Sequence, residues 1–174
     1  MQLTNQQANQ RLKPKSKKFD IPQGNAGVRV TLNLMSKLVK FYKSNIKIRT
    51  LAANLTKRLL QKDWQSEIKA IQKYVSYEIR YTKDIRGVET IQSPVFTLDN
   101  GYGDCDDKST LVAALLESIG HPTRFVACGF NGGLLSHVYV ETKIGNKWIG
   151  VETTEQVGLG WTPPNMTSKM LEHN

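Results

Sequence analysis

Three residues of this chain have the types and the order that a cysteine-dependent acyl transfer requires. Cys105 lies just before a strongly helical run at residues 110–119, and His137 and Glu152 follow in strand-like segments. A helix N-terminus and a neighbouring imidazolium both stabilise a thiolate, which is the nucleophilic form of cysteine. A carboxylate on the other imidazole N–H fixes the tautomer of the ring. The sequence therefore predicts Cys105 as the nucleophile, His137 as the general acid and base, and Glu152 as the residue that orients His137.

The same helix start predicts a hydrogen-bond donor for a reaction intermediate. The first backbone N–H groups of a helix have no acceptor within the helix. We therefore expect the Cys105 N–H to donate to the oxyanion of a tetrahedral intermediate. Asp106 and Asp107 complement the helix dipole but oppose thiolate formation, so the helix and His137 must outweigh them. We interpret these two acids as structural.

The second cysteine and the other histidines have simpler interpretations. Cys128 lies in an apolar strand-like segment and is expected in the core, with a disulfide to Cys105 as an alternative that two cysteines do not favour. His121 lies at a predicted helix end, and His173 lies in a polar tail. Because these spacings do not match zinc ligands, we expect no metal, and nothing in the sequence predicts a cofactor.

Composition favours one globular domain and shows an uneven charge. The chain has 174 residues, of which 39% are hydrophobic, enough for a sizeable core. Residues 1–60 carry 13 Lys/Arg and one acid, whereas residues 61–174 carry 11 Lys/Arg and 14 acids, so +12 and −3 give the net charge of +9. The basic part predicts contact with an acidic protein surface or other subunits. Nucleic-acid binding is disfavoured, since this part has few aromatic residues and no recognised motif.

The same composition predicts a protein made in a cytoplasm. No apolar run approaches the length of a membrane span, and the polar N-terminus has no secretory signal. Residues 1–27 are too polar to fold alone, and we interpret them as a basic arm that is flexible or ordered by a partner. The predicted domain is 28–165, and 166–174 is a polar C-terminal tail.

Periodicity predicts helices before the cysteine helix and strands after it. Asp63 is a suitable N-cap for one of these helices, and Gly120 ends the cysteine helix. The predicted elements are an extended piece at 28–32, helices at 36–42, 47–60 and 64–79, an irregular stretch at 81–98, and antiparallel strands at 125–130, 137–142 and 147–153. This order indicates an α+β fold in which the catalytic helix packs on a small antiparallel sheet.

Several motifs follow one another around the three candidate residues. They are Gly-Asp-Cys-Asp-Asp-Lys before a Leu/Ala helix, Gly-His-Pro-Thr-Arg-Phe-Val-Ala, Ser-His-Val-Tyr-Val-Glu, and a tryptophan before Glu-Thr-Thr. Together they resemble the transglutaminase-like superfamily of papain-like cysteine enzymes over roughly residues 30–165. The segment 81–94 is more similar to transglutaminase-like proteins of bacteriophages and prophages.

The resemblance implies roles for three residues, with one departure from the family pattern. The family cysteine, histidine and acid correspond to Cys105, His137 and Glu152, but the family usually has Asp at the third position. Glu141 and Glu155 are alternatives for the acid. Glu141 lies on the predicted strand of His137, and Glu155 would face the opposite side from Glu152 on a regular strand.

Two functions follow from the resemblance. The first is acyl transfer on a protein or peptide carbonyl or a carboxamide, with hydrolysis as the default because water is always abundant. The alternative is a phage virion structural or assembly protein of the head, neck or tail that retains the fold, with or without activity. Such a protein would be made in the bacterial host cytoplasm and would contact other virion proteins through basic residues 1–60.

Overall fold

A computed structural model describes residues 21–84 and 90–174, which contain five helices and six strands. The helices are α1 (Asn25–Tyr42), α2 (Ile46–Thr56), α3 (Trp64–Glu78), α4 (Pro94–Asn100) and α5 (Cys105–Ser118). The strands are β1 (Arg80–Tyr81), β2 (Tyr102–Gly103), β3 (Thr123–Phe130), β4 (Leu135–Ile144), β5 (Lys147–Val151) and β6 (Met166–His173). None of the helices in these two ranges is long and apolar enough to cross a bilayer.

The helix that begins at Cys105 is the centre of the core. Every residue of α5 from Asp106 to Leu116 is buried, which is typical of a helix covered on all sides. The other four helices pack around it, and β3 and β4 pack against it. The α+β architecture and the packing of this helix on an antiparallel sheet are confirmed.

The sheet brings the C-terminal half of the chain alongside that helix. Its strand order is β5-β4-β3-β6, and all neighbours are antiparallel. A separate parallel pair, β1 with β2, joins the end of α3 to the segment before Cys105, with Tyr81 opposite Gly103. The cysteine helix therefore starts at a point fixed by backbone pairing.

Two predictions of secondary structure are wrong. Residues 28–32 are not extended but belong to α1, whose buried positions include Thr31, Leu32 and Met35 at helical spacing, so packing outweighs the strand preference of the β-branched residues. Residues 166–173 are not a tail but the edge strand β6, paired with β3. Edge strands are commonly polar, so this strand has no strong apolar alternation in the sequence.

Smaller differences concern helix ends. The third helix starts at Trp64 with Asp63 as its N-cap, as predicted. The second ends at Thr56 rather than near Leu60, and the stretch predicted as irregular contains α4, which begins with Pro94. Residues 1–20 of the predicted arm lie outside the described residues. The bounds given to the arm and to the domain stay a prediction.

Candidate active site

Side chains of the acidic motif form the start of the cysteine helix. Asp104 is the N-cap, and its carboxylate accepts hydrogen bonds from the backbone N–H of Asp106 at 3.0 Å and of Asp107 at 3.3 Å. The Asp107 carboxylate in turn accepts from the Asp104 N–H at 3.2 Å, which completes a capping box. Cys105 is thereby fixed as the first residue of α5.

Asp107 also attaches the preceding loop to this helix start. Its second carboxylate oxygen accepts from the Gln92 N–H at 2.7 Å, although only 1% of the residue is exposed. Burial raises the pKa of the Asp107 carboxyl to about 7, even though its hydrogen bonds with Gln92 and Asp104 favour the charged form. The structural interpretation of Asp106 and Asp107 therefore agrees with their burial and with the capping box.

The surroundings of the Cys105 thiol favour its protonated form. Burial raises its pKa far above the usual range, and the carboxylates of Asp106 and Asp104 raise it further. Asp106 Oδ1 lies 3.5 Å from the thiol sulfur, whereas a backbone hydrogen bond with Val138 favours the thiolate. The helix start was expected to lower the thiol pKa, whereas burial and the two acids raise it in this arrangement.

His137 and Glu152 form a hydrogen-bonded pair in which the carboxylate is buried and the imidazole is half-buried. His137 Nε2 lies 2.7 Å from Glu152 Oε2, and Glu152 is 1% exposed. The other carboxylate oxygen accepts from the Thr154 N–H at 2.6 Å and the Glu155 N–H at 3.4 Å. Burial raises the pKa of the Glu152 carboxyl, but His137 and these N–H groups outweigh it and hold the pKa below the usual value. Because Nε2 is bound to Glu152, proton exchange with a thiol would use Nδ1.

Strand register explains why a glutamate reaches His137. Val151, the last residue of β5, pairs with Val140 of β4, and Glu152 directly follows this pair, toward Tyr139. His137 is two residues along β4 from Tyr139 and therefore on the same face of the strand. The long Glu152 side chain reaches from the end of β5 to the His137 ring on this face.

Helix α5 touches the His137 strand beside His137. The Ser109 hydroxyl donates to the Val138 carbonyl at 3.2 Å, and the Cys105 thiol has its hydrogen bond with the backbone of the same residue. The structure therefore places the predicted nucleophile against the residue that follows His137. All three predicted site residues belong to one region of the fold.

The alternative acids have other partners. Glu141 forms an ion pair with Arg124 at 2.5 Å, and Arg124 also lies over the Trp148 ring at 4.3 Å. The backbone N–H of Glu155 donates a hydrogen bond to the Glu152 carboxylate, and this bond links Glu155 to the site.

The other candidate residues lie apart from the pair or in the core. His121 is 7% exposed and lies 2.8 Å from Glu67 of α3. Cys128 is fully buried, as predicted, and both cysteines are free, so no disulfide joins them. His173, predicted in a tail, lies in β6 with its ring 5.7 Å from that of Trp148.

A metal ligand set is incomplete at the helix start. Ligand atoms of Asp104, Cys105 and Asp106 lie within 4.8 Å of one another in the part of the chain that the structure describes. Asp104 already accepts two backbone hydrogen bonds, and three consecutive residues do not supply the four ligands of a structural zinc site. We assign no metal to them.

Two buried residues at the site were not identified from the sequence. Gln72 of α3 is 3% exposed and donates from its side-chain nitrogen to the Glu152 carbonyl at 2.9 Å and the Val157 carbonyl at 3.4 Å. Lys108 of α5 is 1% exposed. The sequence feature that could have identified Lys108 as a buried residue of the site is its position between Cys105 and an apolar helical run. For Gln72 the corresponding feature is its place between Ile71 and Val75 on the apolar face of α3.

The fold and this region define a class of protein: an α+β protein with a cysteine at the start of a buried helix and, on the adjoining sheet, a histidine that is paired with a buried carboxylate. The transglutaminase-like superfamily matches residues 49–153, which include Cys105, His137 and Glu152. The chain belongs to this superfamily.

Solved structures share the fold at low sequence identity. A candidate protease from Parabacteroides distasonis ATCC 8503 has a TM-score of 0.60 and 14% identity, and the match covers 80% of this chain and 31% of that one. A candidate cysteine protease from Cytophaga hutchinsonii has a TM-score of 0.54 and 18% identity, covering 76% and 52%. Calcium-bound Legionella pneumophila LapG has a TM-score of 0.55 and 19% identity, covering 78% and 80%.

This chain spans only 31% and 52% of the lengths of the first two proteins. At these identities the likeness concerns the fold. No curated protein matches the sequence.

Proposed function

We propose that this protein is a cysteine peptidase or amidase in which Cys105, His137 and Glu152 act as nucleophile, general acid and base, and orienting carboxylate. The observation that carries this proposal is the 2.7 Å His137–Glu152 pair, whose carboxylate is 1% exposed and fully hydrogen-bonded, beside the strand residue that contacts the cysteine. The protease descriptions of two structures with the same fold support the reaction class.

The proposed reaction starts from a neutral thiol. His137 Nδ1 takes the Cys105 proton as the sulfur attacks the carbonyl carbon, so the thiolate does not accumulate beforehand. The oxyanion of the tetrahedral intermediate accepts from the Cys105 backbone N–H, which has no acceptor within the helix. When the C–N bond breaks, His137 returns the proton to the leaving amine, and a thioester remains on Cys105.

Hydrolysis completes the cycle. His137 removes a proton from water as the oxygen attacks the thioester, and the same proton then returns to the sulfur as the acid product leaves. Glu152 holds Nε2–H throughout, so the ring keeps the tautomer that presents Nδ1. We propose water rather than an amine as the acceptor. Added glycine methyl ester would divert the thioester to an amide if transamidation competes.

Acylation of Cys105 can be tested without the natural substrate. The protein is mixed with p-nitrophenyl acetate, and release of nitrophenolate is followed with mass spectrometry of the intact chain. We expect one acetyl group per chain on Cys105, its later hydrolysis, and cleavage products from a proteome-derived peptide library. Cys105→Ala should lose all three signals, and Cys128→Ala, which removes the other buried thiol, should keep them.

Equal signals from the wild type and Cys105→Ala would overturn the proposal. Acylation without peptide cleavage would contradict the peptidase assignment while retaining the nucleophile. Loss of the three signals in Cys128→Ala, with its circular dichroism unchanged, would contradict the assignment of the reactive thiol to Cys105.

A phage assembly role is the second candidate, and the positive surface of the first two helices favours it. Arg29, Lys37 and Lys40 of α1, Arg49 of α2 and Lys57 directly after α2 are all exposed. Such a surface suits an acidic partner. Under this proposal the chain is made in the bacterial host cytoplasm and joins the particle at fixed stoichiometry. Quantitative mass spectrometry of purified particles would test it, and absence of the chain from them would exclude it.

A further inference from the structure

Gln72 is a buried polar residue of α3 that binds the segment following β5, residues 152–157, which we call the acid turn. Its side-chain nitrogen donates to the Glu152 carbonyl at 2.9 Å and to the Val157 carbonyl at 3.4 Å, and only 3% of the residue is exposed. The amide group of glutamine has two N–H donors, so one is available for each carbonyl. Gln72 therefore bridges the two ends of the acid turn.

The Glu152 carbonyl needs such a donor because it lies beyond the sheet. The pairing of β5 with β4 ends at Val151, and Glu152 is 1% exposed. A backbone carbonyl that is buried without a donor is unfavourable. At this point Gln72 supplies the hydrogen bond that a neighbouring strand supplies elsewhere in the sheet.

The Glu152 carboxylate closes the acid turn from inside. Its Oε1 accepts from the N–H groups of Thr154 at 2.6 Å and Glu155 at 3.4 Å, and the Val157 N–H donates to the Glu155 carbonyl at 3.0 Å. The other oxygen, Oε2, lies 2.7 Å from His137 Nε2. A shift of the turn by about 1 Å away from the ring would lengthen this contact to about 3.7 Å, beyond the range of a hydrogen bond. The position of the acid turn therefore decides whether the pair forms.

Helix α3 also contacts the helix of the nucleophile. Lys108 of α5 is 1% exposed, and its Nζ donates at 2.6 Å to the carbonyl of Ile79, the residue directly after α3. One end of α3 thus contacts the element that begins at Cys105, while Gln72 contacts the acid turn. The helix fixes these two parts of the site relative to each other.

We propose that Gln72 is a positioning residue: by fixing the acid turn against α3, it keeps the Glu152 carboxylate aligned with His137. The alternative is that Gln72 only fills space between Ile71 and Val75. Two hydrogen bonds to one turn favour the positioning role, because an apolar side chain would fill the same space without the cost of burying an amide. The catalytic consequence rests on the proposed function, whereas the order of the acid turn does not.

The test is Gln72→Met, which keeps a similar side-chain length and removes both N–H donors. Hydrogen exchange of the Thr154 amide should become about tenfold faster, since the acid turn opens more often without these bonds. The nitrogen-15 signals of His137 should move from the Nε2–H form toward a mixture of tautomers. Neither measurement needs a substrate.

Ser76→Ala is the matched control. Ser76 lies one turn further along the same buried face of α3, and its hydroxyl has no hydrogen-bond partner within the part of the chain that the structure describes. This variant should leave both signals unchanged. Unchanged Thr154 exchange and His137 signals in a folded Gln72→Met protein would overturn the proposal. Equal changes in the two variants would also overturn it, because they would indicate a general loosening of α3.

A second measurement applies if Gln72→Met does not fold. The Gln72 amide and the Glu152 carboxylate hold the same turn, so the coupling between them is reciprocal. Glu152→Ala should therefore speed exchange of the Gln72 side-chain amide protons by about tenfold, with exposed Gln65 of the same helix as the internal reference. An unchanged ratio of the Gln72 and Gln65 exchange rates would overturn the proposal.

The rate of Cys105 acylation separates this proposal from the proposed function. In a protein that is acylated, Gln72→Met should slow the nitrophenolate burst by about 10- to 100-fold, because a misplacement of about 1 Å is enough for such a loss. Ser76→Ala should keep the burst, and an unchanged burst in Gln72→Met would overturn the catalytic consequence. A loosened acid turn in a protein that is never acylated would support the positioning role and contradict only the enzymatic function.

Discussion

Replacing Glu152 by aspartate tests whether the site depends on the length of the side chain at this position. Glu152, the residue directly after β5, has its Oε2 2.7 Å from Nε2 of His137 on β4. Aspartate is shorter by one carbon–carbon bond, about 1.5 Å. With the backbone unmoved, the oxygen–nitrogen separation grows to about 4 Å, beyond the range of a hydrogen bond. Glu152→Asp should therefore lose the contact that orients His137, although the charge stays.

The expected cost follows from the kind of bond that is lost. A hydrogen bond to a charged group contributes about 1.5–3 kcal/mol. If the contact acts in the transition state, the acylation rate of Cys105 should fall by about 10- to 150-fold. The rate is measured as the nitrophenolate burst, and nitrogen-15 NMR of His137 reports the tautomer. We expect Glu152→Asp to show a mixed tautomer where the wild type shows Nε2–H.

Glu67→Asp is the matched control, because it shortens the acid of the other histidine–glutamate pair, His121 with Glu67 at 2.8 Å. It should leave the burst unchanged. An unaltered burst and His137 spectrum in Glu152→Asp would refute the reasoning, since they would mean that the strand end moves to restore the contact. Equal losses in both variants would indicate a general effect on folding rather than on the site.

Two further predictions concern the helix start. Gly103→Ala should destabilise the fold by about 1–3 kcal/mol in urea denaturation, because the new Cβ would lie 2.5 Å from Asp107 Cβ. Gly158→Ala is the control and should not destabilise the fold, because a Cβ there would have nothing within 4 Å. Equal stabilities of the two variants would contradict the close approach at Gly103. Stability should also fall as pH rises from about 4 to 7, because the Asp107 pKa is raised from 3.8 to about 7 and the folded state holds this proton more tightly than the unfolded chain. Asp107→Asn should flatten this slope in denaturation curves between pH 4 and 8, and an unchanged slope would show that Asp107 is not its source.

The sequence was informative where the signal is local. The helix period before Cys105, the strand period after Gly120 and the N-cap Asp63 predicted elements that the structure contains. The candidates Cys105 and His137 came from residue chemistry within such elements, and their roles stay a prediction.

Features that depend on residues far apart in the sequence could not be predicted from local patterns. Gln72 is 80 residues from Glu152, and Lys108 is 29 residues from Ile79, so no short window contains both partners of either bond. The raised pKa of the Cys105 thiol likewise depends on burial, which the acidic motif did not predict. Edge strand β6 is defined by pairing with β3 rather than by its own pattern.

The hydrogen bonds of the site join segments that meet at different stages of folding. His137 and Glu152 are 15 residues apart within one hairpin, whereas the Gln72–Glu152 contact closes a loop of 80 residues. Loop-closure entropy delays contacts between distant segments, so the hairpin pair can form before α3 docks. Cys105 is half-buried and packs against the core that α5 shares with the other helices. The alkylation rate of the Cys105 thiol during refolding would therefore report when this core forms around it, which is the last step of folding.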